Sequence, residues 1–302
     1  MTATSDAFEA KGGPATPLAR TRPFIWSVRR ELWENRAIYM GPLVAAAVVL
    51  IGVVLGHMAP HRVVFQSPTR HMAAIPAVIP YAFAAAAIIA TSFIVGVFYC
   101  LGALNAERRD RSVLFWKSLP VSDLTTVLSK AVVPSLILPV VTFAVVFATH
   151  ILMLAMDLAA LSVRGASVGD FMATLPIGQI WLDLAYALLL LVFWWAPLWG
   201  WFLLASAWAK RMTFLWGVGP PLAICLIERM SSGTDYAWRT LGARILSGIG
   251  VGFTTPPRDN QIALPWPDPA PFLASPGLWL GLVVAAAFLA GAVWLRRRRE
   301  PI

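Results

Sequence analysis

The chain has 302 residues, of which 59% are hydrophobic and only 13% charged, with 24 Lys and Arg against 15 Asp and Glu. Soluble domains are about 45–50% apolar and about 25% charged, so this surface could not be covered with polar groups in water. The composition excludes an ordinary water-soluble enzyme and points to a chain whose solvent is lipid, for which membrane spans are the useful unit.

The first 20 residues, MTATSDAFEAKGGPATPLAR, are polar and lack the apolar run of a cleavable signal; they read as a disordered tail over 1–21 that stays in the cytoplasm. Residues 22–36, RPFIWSVRRELWENR, place Ile25, Val28 and Leu32 at helical spacing, with Trp26 and Trp33 beside them and Arg29, Arg30, Glu34 and Arg36 elsewhere on the turn. That pattern predicts an amphipathic helix lying along the inner leaflet.

A hydrocarbon core of about 30 Å takes about 20 apolar residues as a helix. Six stretches qualify, over about 37–58, 77–104, 131–156, 183–208, 213–230 and 277–295, the fifth interrupted by GVGPP. The fold class is therefore an all-α integral membrane protein, a single six-span domain over 37–295 followed by a basic tail over 296–302. If the N-terminus lies inside, 17 of the 24 basic residues, including all four lysines, fall on inside segments and seven on outside ones. This asymmetry predicts both termini in the cytoplasm. RRRR at 296–299 then anchors the last span, and the +9 net charge is orienting charge, with no nucleic acid as a partner. Between spans five and six, residues 235–253 have a helical pattern too short to cross and are expected either to dip into the outer leaflet or to cap the bundle; the proline-rich stretch after them is expected to be extended.

The chemistry-bearing residues are few. None of the four lysines stands in a G-x-x-x-x-G-K-[ST] frame, and H-E-x-x-H, G-x-S-x-G and metal-spaced Cys/His sets are missing, so no catalytic residue and no cofactor are assigned to this chain. Cys100 and Cys225 sit in apolar runs as small hydrophobes. His57, His61 and His71 could mark a metal site at the outer mouth of span one, but Pro60 interrupts their helical spacing and membrane-interface histidines are the plainer reading. His150 is read as a polar contact within the bundle. Asp157, Asp183 and Glu228 fall near outer span ends, as solvated carboxylates or as lining for a substrate exit. Trp194, Trp195, Trp199 and Trp201 are too central for an aromatic belt and are read as lipid-facing bulk or an aromatic substrate surface. Gly52/Gly56 and Gly277/Gly281 fit the spacing of close helix contacts.

Between spans two and three lies NAERRDRSVLFWKSLPVSDLTTVLSK, residues 105–130. Val113, Phe115, Trp116 and Leu119 give a bulky apolar edge, flanked by Lys117; Pro120 ends the helix and Ser122 or Asp123 can cap the next. This segment resembles the loop after the second span in ABC-2-type transporter permeases, whose pattern is roughly E-R-x-x-G-[ST], then L-P-V-S, then a lysine before span three. Glu107, Arg108, Ser112, Leu119, Pro120, Val121, Ser122 and Lys130 match, and Arg111 takes the usual glycine position.

The resemblance implies a permease that pairs with a second copy or a related permease and with two copies of a separate ATPase carrying ATP and Mg, in the bacterial inner membrane. Residues 105–130 would then hold the coupling helix that docks in the ATPase. Phe115, Trp116, Leu119 and Pro120 would form its apolar edge, and Glu107, Arg108, Asp110, Arg111, Ser112 and Lys117 its polar contacts. Trp26, Arg29, Arg30 and Trp33 would brace the same interface from the elbow helix. The alternatives are a membrane scaffold or sensor, or a metal-handling protein, neither of which transports.

Overall fold

The computed structural model describes residues 21–58, 70–109, 122–247, 252–254 and 266–298. The chain is almost wholly helical: α1 (Thr21–Glu34), α2 (Ala37–Met58), α3 (Arg70–Ala103), α4 (Asn105–Arg109), α5 (Asp123–Val132), α6 (Leu138–Val163), α7 (Val168–Thr174), α8 (Ile177–Trp194), α9 (Ala196–Trp208), α10 (Thr213–Ser232), α11 (Tyr236–Gly242), α12 (Pro269–Ala274) and α13 (Pro276–Arg298). A two-stranded ladder, β1 (Phe253–Thr254) with β2 (Trp266–Pro267), is antiparallel and precedes α12. Five helical stretches among the described residues are long and apolar enough to cross a membrane: Ala37–Met58, Ala77–Glu107, Asp123–Val163, Val168–Trp194 and Pro276–Arg298. The chain is a multi-pass membrane protein by that measure.

α3 is the axis of the bundle; α2, α6, α9 and α10 all pack on it, and α13 lies along α9. α5 and α6 form one rod joined by a π-helical turn over Val133–Ile137. Pro134 stands in that turn, where a proline cannot donate to the helical ladder. The expected fourth span is broken at Trp195 (φ −86°, ψ −5°), because Pro197 follows and offers no N–H. By contrast α10 runs unbroken through Pro220 and Pro221, where an interruption was expected. Pro221 leaves the Gly217 carbonyl without its helical donor, and the Trp201 indole N–H takes that oxygen at 2.7 Å. A side chain from a neighbouring helix thus restores the hydrogen bond that proline removes.

The central tryptophans are not lipid-facing bulk. Trp194 and Trp199 are buried, and Trp199 packs on Phe93 and Trp195 with ring centroids 5.4 and 5.9 Å apart. The break at Trp195 turns this aromatic run inward, which an unbroken span would not do. Nor do the glycine pairs mark helix contacts as expected. Gly52 faces open space, and Gly281 makes room for a side chain: a Cβ there would lie 2.5 Å from Arg244 Nη2. At Gly200 α9 comes close to the backbone of α13: a Cβ there would lie 3.2 Å from the Ala285 carbonyl oxygen.

Candidate functional site

One end of the bundle gathers the start of α2, the ends of α3, α9 and α13, and α5; it is called here the basic end. Five ionisable side chains meet there, from α1, α4, α5 and α13. Lys130 Nζ donates to Glu31 Oε1 at 2.6 Å and lies 3.0 Å from Glu107 Oε1. Arg296 Nη1 donates to Glu107 Oε2 at 2.6 Å, and its Nε to Asp123 Oδ1 at 3.0 Å. The Tyr99 hydroxyl donates to Glu31 Oε2 at 2.9 Å. Glu31, Glu107 and Lys130 are 4%, 7% and 2% exposed, so these charges have left water. Such burial costs several kcal/mol per ion and is tolerated only when each charge is paired and hydrogen-bonded, as here.

Local sequence explains each placement. Glu31 shares with Val28 and Leu32 the face of α1 turned to the bundle, while Ile25, Trp26 and Trp33 are exposed on the other. Arg29 lies between the two tryptophans, its guanidinium 5.4 Å from the Trp26 ring and 5.0 Å from that of Trp33. Arg30 pairs with Glu34 one turn on. Ser122 caps α5, accepting from the Thr125 N–H at 3.1 Å, and so sets Asp123 in the first turn, where the helix dipole favours an acid. Val127, Ser129 and Lys130 form the buried face of α5.

The ends of α3 and α9 are pinned together beside the network. Ser206 Oγ accepts from the N–H groups of Leu104 and Asn105 at 3.1 and 3.0 Å and donates to the Leu101 carbonyl at 2.8 Å. The Asn105 side chain donates to the Ala209 carbonyl at 2.6 Å. One hydroxyl therefore serves three backbone groups where α3 ends. Ser206→Ala should lower unfolding stability by about 1–3 kcal/mol, because the buried Leu104 N–H and the part-buried Asn105 N–H lose their acceptor. Thermal unfolding of the purified variant in detergent checks this.

Of the residues expected to meet a partner, Glu107 is described, and its carboxylate is turned into this network. Arg108 lies in α4, and its side chain is outside the described residues, as are Asp110, Arg111, Ser112, Phe115, Trp116, Lys117, Leu119 and Pro120. The undescribed stretch 110–121 begins three residues after Glu107 and ends two before Asp123, so the network grips both of its ends. Glu31, Tyr99, Asp123 and Arg296 were missed in the sequence. Glu31 alone left a signal there, an acid on the apolar face of an amphipathic helix.

At the opposite end His57 is held in a different set. Its Nδ1 faces the Val53 carbonyl at 2.8 Å and its Nε2 the Asp157 Oδ1 at 2.9 Å, while the Tyr81 hydroxyl donates to Asp157 Oδ2 at 2.9 Å. Both ring nitrogens thus point at oxygens. His61 and the side chain of His71 lie outside the described residues. No group of three or more His, Cys, Asp or Glu among the described residues could hold a metal ion. Glu228 is also engaged: it accepts from the Tyr236 and Ala237 N–H groups at 2.9 and 2.7 Å and so caps α11. Past α11, Arg244 stacks 4.3 Å over the Trp194 ring and donates to the Gly277 carbonyl at 2.8 Å. Burial lowers its pKa from the ordinary guanidinium value, which starts so far above neutrality that the charge is kept.

Compared with protein-family models, curated proteins and solved structures, the chain finds no match in any of the three.

Proposed function

We propose that the chain is the membrane permease subunit of an ATP-driven exporter of the ABC-2 type, without a nucleotide site of its own. In this reading it sits in the bacterial inner membrane with both termini in the cytoplasm, beside a second permease copy and two ATPase subunits. The basic end is the cytoplasmic end. ATP-driven closure of the ATPases pushes on residues 112–120, and the push tilts the helices that enclose the substrate path.

The observation that carries this reading is the buried charge network. It ties α1, α4, α5 and the end of α13 into one unit at both roots of the segment expected to receive the push. A load applied there reaches three apolar helices and the amphipathic α1 at once. The exposed Trp26, Arg29 and Trp33 suit a helix resting among lipid headgroups.

The same reading takes α10 as the fifth of six spans. Its first turn packs at the basic end, with the Trp208 and Trp216 rings 4.9 Å apart and the Phe98 and Phe214 rings 5.9 Å apart. Its 20 residues, Thr213–Ser232, are about 30 Å long, and the chain must change sides between the end of α9 and the start of α13.

The test is ATP hydrolysis by purified protein in lipid. The permease alone should hydrolyse none, and activity should appear only with a co-expressed ATPase. Hydrolysis by the isolated chain, or a chain that binds no ATPase, would overturn the proposal.

A further inference from the structure

Three acids stand near outer span ends in the sequence, and the structure accounts for two of them: Asp157 holds His57 and Tyr81, and Glu228 caps α11. Asp183 is the exception. Its Oδ1 is buried and has no hydrogen-bond partner among the described residues. Two more unpartnered polar atoms, His150 Nδ1 and Trp195 Nε1, belong to residues lining the same cavity as Asp183, which measures about 690 Å³. Buried polar groups are nearly always satisfied, and of the five unpartnered buried side-chain atoms among the described residues three belong to residues lining this cavity.

The cavity runs between α3 and α8. Ala82, Ala86 and Ala90 give α3 a shallow wall, and Ile245, Leu246 and Phe253 close the side toward the outer segment. Asp183 and Trp195, which caps the end of α8, are 12 residues apart, or about 18 Å along that helix. The space is therefore elongated and apolar along its length. His150 is completely buried, and its Nε2 meets the Tyr81 carbonyl oxygen at 3.0 Å. A carbonyl only accepts, so the ring proton belongs on Nε2, and Nδ1 offers a lone pair. The Asp183 carboxylate and the His150 lone pair thus both want a donor, and the Trp195 indole N–H wants an acceptor. No described cation pairs with Asp183.

We propose that this cavity binds an elongated organic amine: a protonated amino group held by Asp183 and His150, an apolar body along the alanine wall, and an acceptor oxygen reaching toward Trp195. This rests on the exporter reading for its physiological meaning, as the substrate class of that path, but the binding itself does not need it. A lipid phosphate fits badly, because it would set a second negative charge beside Asp183. A neutral apolar molecule would leave all three orphans unmet.

The test uses the full chain in lipid nanodiscs with monodansylcadaverine, a primary alkylamine carrying a dansyl group whose sulfonyl supplies the acceptor. Dansylpentylamide, identical but without the amino group, is the control, and empty nanodiscs set the background. Dansyl fluorescence should show saturable binding of the amine, with the control weaker by roughly tenfold or more. Asp183→Asn should weaken the amine by a similar factor and leave the control unchanged, and Asp183→Glu should recover part of the loss. Ala86→Trp, which fills the cavity from α3 without touching the polar groups, should abolish binding of both, and it decides the matter if Asp183→Asn fails to fold. Equal affinity for amine and control, full affinity in Asp183→Asn, or full affinity in Ala86→Trp would each overturn the proposal. Binding of the amine without any ATPase coupling would leave this inference standing and sink the exporter reading; coupling without amine binding would do the reverse.

Discussion

Lys130→Met should destabilise the protein by about 3–5 kcal/mol, the usual cost of removing one partner from a buried ion pair. The ammonium stands between Glu31 and Glu107, within 3.0 Å of both. Without it two buried carboxylates face each other. Tyr99 still donates to Glu31 and Arg296 still holds Glu107, but nothing separates the two charges. The remedy is equally specific. Glu31→Gln in the Lys130→Met background removes one of the stranded charges and keeps an oxygen for the Tyr99 hydroxyl, so more than half of the lost stability should return. Thermal unfolding of the two single variants and the double variant measures this coupling as a double-mutant cycle. Additive losses would show that Lys130 and Glu31 do not act as a unit.

The second large effect is functional. On the exporter reading, replacing Trp116 and Leu119 together by alanine should reduce ATPase-coupled activity to the level of the ATPase alone while leaving the chain folded. Both residues lie outside the described part of the chain, so the prediction rests on the apolar edge read from the sequence and on the network at the segment's two roots. Tryptophan anchors at interfaces commonly carry about 2 kcal/mol or more of binding each. A double truncation should therefore weaken ATPase association by well over tenfold, which a pull-down at graded ATPase concentration reads directly. Full coupled activity in the double variant would count against the exporter reading.

Helix existence was legible in the sequence wherever apolar runs were long and uninterrupted. α2 begins and ends at the expected residues, and α13 covers its expected span. Proline was the poor guide: Pro197 breaks a helix, while Pro220 and Pro221 do not. The difference lies in tertiary context, since Trp201 supplies the missing hydrogen bond in α10, and no local pattern reveals that donor.

The same limit governs the site. Glu107 and Lys130 stood out by pattern, but their partners lie far off along the chain. Arg296 read as one of four anchoring arginines, because the sequence does not say which of them turns inward to Glu107. Likewise His57 and Asp157 are 100 residues apart, so the sequence reads the histidine as an interface residue and gives no sign of the carboxylate that meets it. Charge pairing across a bundle is a property of packing, and it becomes visible only when the helices are assembled.

The most direct measurement is site-specific photocrosslinking in membranes that contain this chain and a co-expressed ABC ATPase. A photoreactive residue at position 116 should crosslink to the ATPase, and one at position 58, at the far end of α2, should not. A label at 116 that is reached only from the outer face of the membrane, or that crosslinks to no ATPase while the complex is intact, would contradict the account.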